Sequence, residues 1–228
     1  MGARIFCVKP GIGTHAIFVF LLMASIVGLV TTGRGYCAST VRITADQKIR
    51  YDLAGKVFVA EGNVRIIQDD TTIKCQRAEI TTDKKVATIT GAVELSQPNV
   101  LLKSDTLVVY FNEKRVIAQG NVTLVKSDEN VTLKANRLEY WTQKKQCVAE
   151  GNVFVTRKDT KAWGDKATYS EKEKLLILTG TVKAESPEKE RLNSKELKVY
   201  TDKDLIEASG GVDIEFDVKE ESSGNEGK

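Results

Sequence analysis

The hexapeptide VAEGNV occurs at residues 59–64 and again at residues 148–153, 89 residues later. The first copy continues as RI and the second as FV, and both continuations are typical of a β-strand. One motif recurring at a long, fixed distance indicates an internal repeat, and an internal repeat decides the architecture of a chain.

Six glycines mark the repeat. The segments aligned on them read AEGNVRI, ITGAVEL, AQGNVTL, AEGNVFV, LTGTVKA and ASGGVDI, and the glycines are separated by 29, 29, 31, 29 and 30 residues. A small residue followed by a polar one precedes each glycine, by 17 residues in the first unit (Ala45-Asp46) and by 16 in the other five. Six units of about 30 residues therefore fill positions 41–216.

Each unit predicts a strand, a turn and a second strand. The positions two and four residues before and after every glycine are apolar, whereas direct neighbours such as Glu61 and Asn63 are mostly polar. This period of two is typical of a half-buried strand, and a glycine in its middle predicts a bulge. In the upstream strand one side chain is skipped at the polar residue, which we expect to hydrogen-bond nearby backbone.

The connections are short and polar, for example TTDKK within a unit and QDDT between units. These are hairpin lengths, so neighbouring strands are predicted to be antiparallel. The sequence therefore predicts an all-β domain with a dozen or more strands in two facing sheets.

The N-terminus has the composition of an export signal. Arg4 and Lys9 precede a 15-residue apolar run at 16–30, which small residues follow. We expect residues 1–38 to be a signal peptide with its exit at 35–38, residues 39–216 to be the folded domain, and residues 217–228 to be a disordered charged tail. An uncleaved membrane anchor is the alternative, although a span needs about 20 apolar residues.

Few residues in the chain could carry chemistry. The only histidine, His15, lies in the leader, and no nucleophile, phosphate-loop or CxxC motif is present. We therefore expect no enzyme activity, no metal and no cofactor, and the nearly neutral domain gives no basis for nucleic-acid binding. Cys75 and Cys147 are interpreted as small buried hydrophobes or as a disulfide pair.

The apolar inner face has two interpretations that composition does not separate. It is either the core of a closed sandwich, or the wall of a groove between sheets that do not close, which would hold a lipid.

The units ITADQKIRY…VFVAEGNVRI and LKANRLEYW…CVAEGNVFV resemble those of the OstA-like family, and in particular its periplasmic lipopolysaccharide-transport bridge proteins of the LptA type. The resemblance covers residues 41–216. It implies a slightly twisted antiparallel β-jellyroll of about 12–16 strands, open along one side, whose interior carries the acyl chains of lipid A across the periplasm without catalysis. The alternatives are a membrane-anchored subunit of the LptC type, with the same fold, and a structural β-repeat protein.

The resemblance also implies partners. These are lipopolysaccharide itself, an inner-membrane exporter subunit of the LptC type, an outer-membrane translocon of the LptD type, and further copies of the chain joined head to tail. The expected lipid-binding residues are the inward apolar positions Phe58, Val64, Ile66, Ile89, Val93, Leu95, Val116, Val122, Leu124, Val153, Val155, Leu176, Leu178 and Val182.

Overall fold

A computed structural model of the chain describes residues 41–187, 190–203 and 205–216. The predicted signal peptide and the predicted tail lie outside these residues. The described part contains 14 strands and no helix. The strands are β1 (Val41–Thr44), β2 (Lys48–Asp52), β3 (Val57–Gln68), β4 (Thr71–Thr81), β5 (Val86–Gln97), β6 (Val100–Tyr110), β7 (Arg115–Lys126), β8 (Val131–Trp141), β9 (Gln146–Arg157), β10 (Thr160–Ser170), β11 (Leu175–Glu185), β12 (Arg191–Tyr200), β13 (Leu205–Ser209) and β14 (Asp213–Glu215).

All 14 strands belong to one antiparallel sheet, in which each long strand pairs with its neighbours in sequence. β1 and β2 pair with opposite halves of β3, and β13 and β14 pair with opposite halves of β12. The sheet is thus built from twelve bent strands, two per repeat, of which the first and last are broken at the bend. Within the described residues, β13 and β14 do not pair with β1 or β2, so the sheet is open. The predicted antiparallel all-β fold is confirmed.

The bend at each repeat glycine is a bulge, and in every unit except that of Gly180 it consists of two residues with left-handed backbone. Gly62 and Asn63 have φ angles of 80° and 43°, and Gly120 and Asn121 have φ angles of 75° and 48°. The pairing register shifts at this point, for example between Glu61 and Val64. Glycine and asparagine tolerate positive φ better than other residues, which explains why Gly-Asn recurs in the repeat.

A polar side chain from the neighbouring strand covers each of these glycines and forms a lid over it. The lids lie 15 residues before their glycines in all six units: Gln47, Gln76, Asp105, Asn136, Asp165 and Lys195. In the first unit the lid is not Asp46 of the aligned pair Ala45-Asp46, because one extra residue there brings Gln47 over Gly62. Asp46 instead accepts a hydrogen bond from Asn63 at 2.8 Å.

Two of the lids also form hydrogen bonds to the bulges that they cover. The Asp165 carboxylate accepts a hydrogen bond from the backbone N–H of Thr181 at 3.1 Å, as predicted for the polar residue at the skip. Asp105 instead accepts from the side-chain amide of Asn121 at 3.0 Å. At these two bends the lid and the bulge hold each other in place.

The bends fold the sheet back on itself. Val64, Val93 and Leu107 are at most 2% exposed, although an open, flat sheet would leave one of its faces in solvent. The described residues contain no helix that could cover this face, so another part of the same sheet covers it. The two facing layers expected from the sequence are thus the two halves of one folded sheet.

The core lies between these halves. It is a single cluster that contains residues from both sides of the bend in each strand, for example Ala60 with Val64 and Ile89 with Val93. The inward positions of the last unit differ, because Ile206, Val212 and Ile214 are 55%, 45% and 55% exposed at the free edge.

The outer surface carries ion pairs between neighbouring strands. Lys74 and Lys103 contact the Glu94 carboxylate at 3.0 and 3.3 Å, and Lys166 contacts Glu150 at 2.9 Å. The hydrogen bond from Lys74 is the main reason that the pKa of Glu94 lies below its usual value. Since these groups are largely solvated, they contribute more to register than to stability.

The lid predicts that a side chain at a bend glycine lowers the stability of the fold. A Cβ on Gly120 would lie 2.2 Å from the Asp105 carboxylate, whereas a Cβ on Gly211, at the similar φ of 76°, would meet no atom within 4 Å. Gly120→Ala should lower the free energy of unfolding by about 2–3 kcal/mol, from backbone strain and loss of the lid's hydrogen bond, and Gly211→Ala by about 1 kcal/mol. Urea denaturation of both variants measures the two changes in the free energy of unfolding. If the two variants lost the same free energy, the lid would not contribute to the cost of the Gly120 substitution.

The second bend residue allows a stabilising change. Ala92 has a φ of 46°, in the place where three other units have asparagine, and its side chain is exposed. Ala92→Asn should raise the free energy of unfolding by about 0.5–1 kcal/mol, because asparagine tolerates this backbone better. Asn121→Ala is the reverse exchange and should destabilise. Thermal melts of both variants check the pair, and a destabilised Ala92→Asn protein would contradict the argument.

Candidate functional site: the inner groove

The inner face of β3–β12 has two kinds of position. The bend row consists of the two inward residues nearest the bend on each strand, and the mouth row consists of the next inward residue on either side, closer to the turns. The two layers approach each other most closely at the bend, so bend-row residues pack against one another. The mouth row lines the opening between the two lines of turns.

The bend row is buried on every one of these strands. Its apolar members are Ala60, Val64, Cys75, Ala78, Ile89, Val93, Leu107, Ala118, Val122, Ala135, Leu138, Ala149, Val153, Ala167, Leu178, Val182 and Leu197. Each is at most 6% exposed. This row is a conventional core, and the burial of its apolar side chains stabilises the fold.

The mouth row divides into a closed part and an open part. On β4–β6 all six of its members are buried. On β7–β12 nine of the twelve are partly exposed although they face inward. These nine are Leu124, Leu133, Tyr140, Cys147, Tyr169, Leu176, Ala184, Leu192 and Val199.

Two features close the mouth over the first half. Phe111, in the turn between β6 and β7, enters the core and is only 4% exposed. From the other line of turns, the Gln97 side-chain amide donates to the Thr71 hydroxyl at 2.9 Å, and Gln68 beside Thr71 is 4% exposed. No such aromatic plug occurs in the equivalent turns 142–145 and 171–174, which read TQKK and EKEK.

All 14 residues expected to bind lipid lie on this inner face and belong to one cluster. Eleven of them are buried in it, and Phe58, Leu124 and Leu176 are partly buried against it. Sequence reasoning missed the inward residues of the first strand of each unit, such as Leu133, Leu192 and Val199. The alternation around the skip already contained their signal, because it places Leu133 and Leu138 on opposite parities across Asn136.

The described residues offer little for catalysis. They contain no group of three or more His, Cys, Asp or Glu residues placed to hold a metal ion. Cys75 and Cys147 are free thiols; burial raises the pKa of Cys75 to about 11 and that of Cys147 to about 12. Such thiols stay protonated and are poor nucleophiles. In the three described stretches, no helix has the length and hydropathy that a membrane crossing needs.

A family model for "LptA/(LptD N-terminal domain) LPS transport protein" matches residues 42–86 and 77–220. The chain belongs to this lipopolysaccharide-transport family. The family role is transport and not catalysis, and the open antiparallel sheet is its β-jellyroll. The OstA-like resemblance is thereby confirmed.

Among solved structures, the chain is similar to LptH from Pseudomonas aeruginosa, described as the LptA homologous periplasmic component of the conserved lipopolysaccharide transport device. The alignment has 18% sequence identity and a TM-score of 0.47, and covers 52% of this chain and 95% of that one. No curated protein sequence matches the chain.

The high thiol pKa of Cys147 predicts its reactivity. Because Cys147 lies on the mouth row of β9 in an apolar setting, its alkylation by iodoacetamide should be slow at pH 8 and should still be rising at pH 10. Peptide mass spectrometry after timed labelling gives the rate at Cys147 separately from the other cysteines. A rate that reaches a plateau below pH 9 would contradict the raised pKa of this thiol.

Proposed function

We propose that the chain is a non-catalytic bridge that carries lipopolysaccharide across the periplasm, from an inner-membrane exporter to an outer-membrane translocon, with the acyl chains of lipid A held in the inner groove. The observation that carries this proposal is the partly exposed mouth row of β7–β12, an apolar surface that faces inward and is not filled by the side chains of the described residues. Family membership supplies the nature of the cargo.

The division of the inner face refines the expected binding residues. Val64, Val93, Val122, Val153 and Val182 pack against the opposite layer and are at most 2% exposed, so they support the groove from behind. The mouth row offers the contact surface, and each acyl methylene that it removes from water contributes about 0.8 kcal/mol. Several contacts of this kind hold a lipid without a covalent step and leave it free to move on.

Photocrosslinking tests the groove directly. A photoreactive amino acid at position 133, on the mouth row of β8, should crosslink to lipopolysaccharide in cells. The same group at position 132, on the outer face of the same strand, is the matched control and should not crosslink. Equal crosslinking from both positions, in proteins with native thermal melts, would contradict binding in the groove.

The two free edges of the sheet suit head-to-tail assembly. All eight exposed large apolar residues among the described ones lie there: Ile49, Tyr51, Leu53, Leu205, Ile206, Val212, Ile214 and Phe216. An uncovered edge strand with apolar neighbours favours pairing with another strand, and two different edges on one chain produce open filaments. Pairing of this kind would continue the groove from one copy to the next and join the bridge to partners of the LptC and LptD types.

Charge at the last edge should prevent this pairing. Ile206 and Ile214 occupy the inward positions of β13 and β14, so Ile206→Lys with Ile214→Lys would bury two ammonium groups at the junction. The double variant should stay monomeric in light scattering at concentrations where the native chain assembles. Asp213→Lys, on the same edge but not on the inner face, is the control and should assemble. A double variant that assembles like the native chain would exclude this edge.

The leader decides between the bridge and the membrane-anchored alternative. The bridge requires that residues 1 to about 35–38 be removed on export. Mass spectrometry of the mature protein should therefore find an N-terminus within or just after this range. Retention of Met1 would favour an anchored subunit of the LptC type, with the same groove.

A further inference from the structure

The two lines of turns that border the groove differ in charge. The first rim comprises the turns 53–56, 82–85, 111–114, 142–145, 171–174 and 201–203, which read LAGK, TDKK, FNEK, TQKK, EKEK and TDK. The second rim comprises the turns 69–70, 98–99, 127–130 and 158–159, which read DD, PN, SDEN and KD, together with Ser186, Pro187 and Glu190. Counted over these described residues, the first rim has nine lysines and five acidic residues, and the second has one lysine and six acidic residues. The mouth has a basic side and an acidic side.

Lysine occupies the same backbone position in the first five turns of the first rim. Lys56, Lys85, Lys114, Lys145 and Lys174 are each the last residue of their turn, with φ between 51° and 54°. This left-handed conformation costs a non-glycine residue roughly 1 kcal/mol or more. Equivalent left-handed positions on the second rim are taken by Asp69, Asn130 and Lys158, so the backbone does not require lysine. The repeated residue therefore needs a reason other than turn geometry, and its charge supplies one.

The first rim holds its lysines at fixed spacing. The carbonyl of each of these five lysines accepts a hydrogen bond from the first backbone N–H of the next turn, at 2.8–3.0 Å. Thr82, Thr142 and Thr201 add a second bond to the same carbonyls through their hydroxyls. Successive turns on one rim are two strands apart, about 10 Å. The result is a rigid row of cations along the mouth.

Most of these ammonium groups are available for a ligand. Within the part of the chain that the structure describes, Lys56, Lys85, Lys114 and Lys174 make no ion pair, and Lys145 pairs only with Glu171, at 3.3 Å. Lys114, Lys145 and Lys174 directly precede β7, β9 and β11. They therefore border the open part of the mouth row. A lipid whose acyl chains lie in that part would have its headgroup within reach of these three lysines.

We infer that the first rim binds the phosphate groups of the lipid's sugar headgroup, so that the cargo travels in one orientation with its headgroup over the basic side of the mouth. The inference rests on the proposed function and adds a headgroup site to it. A lysine ammonium binds phosphate as a point charge, and two turns about 10 Å apart can hold two phosphates of one headgroup. The acidic second rim repels the same groups, which makes the opposite orientation less favourable.

The same backbone position supplies a variant that keeps the fold. Asparagine is at least as well suited to φ near 50° as lysine, so the triple change Lys114→Asn, Lys145→Asn and Lys174→Asn removes three charges without straining the turns. Its thermal melt should not fall below that of the native chain. Lys158→Asn, at φ 53° on the second rim, is the matched control for charge and conformation.

Binding of purified rough lipopolysaccharide to the full chain tests the inference. The triple variant should bind about tenfold more weakly than the native chain at physiological salt, and its affinity should depend less on salt. Lys158→Asn should bind like the native chain, and all three proteins should bind chemically dephosphorylated lipopolysaccharide alike. Crosslinking to lipopolysaccharide from position 133 should persist in the triple variant.

Each other result overturns the assignment in a distinct way. Equal affinity of native and triple-variant proteins, with binding retained, would exclude a headgroup site and leave the proposed function intact. An equal loss of affinity in Lys158→Asn would show a general effect of charge and not a site on the first rim. Competition by millimolar inorganic phosphate alone would show that the lysines bind free anions and not the lipid headgroup. If the native chain did not bind lipopolysaccharide at all, the proposed function would fail and the headgroup site with it.

Discussion

The whole architecture depends on a local constraint, the contact between a glycine with positive φ and the polar side chain that covers it. The glycine gives the backbone the sharp change of direction, and the missing Cβ leaves room for the lid. Asp165 is an example in which the lid also accepts a hydrogen bond from the strand that it covers. Because the same contact occurs in all six units, the bends line up, and the sheet folds along one line. The groove, its mouth and its two rims all follow from that alignment.

Much of this arrangement could be predicted from the sequence, because the repeat shows the same pattern of apolar, polar and glycine residues six times. The alternation around Gly62 and Gly120 predicted inward strands, and the central glycine predicted the bulge. The polar residue at the skip was expected to bond backbone, as Asp165 does. A single copy of the pattern would have been ambiguous. Six copies at nearly constant spacing removed that ambiguity. The resemblance to a known family then extended the prediction from an antiparallel all-β domain to a jellyroll.

What the sequence did not reveal is how the turns close over part of the mouth. Phe111 lies in a polar turn, where the alternation of the strands gives no reason to expect a buried side chain, so its burial follows only from the folding of the whole sheet. The pairing of Gln97 with Thr71 is similar, since each would look like an ordinary polar strand end. For the same reason the 14 inward residues could not be divided in advance into supporting and contacting positions. Gln47 covers Gly62 in place of Asp46 because one inserted residue shifts the strand, and the alignment of the repeats does not show which side chain then lies over the glycine.

The broken strands at both edges bear on how large such a protein can be. Each repeat forms its own bend, lid and turns and pairs its strands only with those of neighbouring repeats. The cross-section therefore does not depend on the total number of repeats. Adding one unit would extend the body by about 10 Å and leave the groove unchanged in profile. Loss of β13 and β14 would uncover β12, a complete strand with free backbone groups, so a shortened chain would still present an edge of the same kind. The reach of the molecule is thus a quantity that gene duplication or trimming can adjust in steps, independently of what the groove holds.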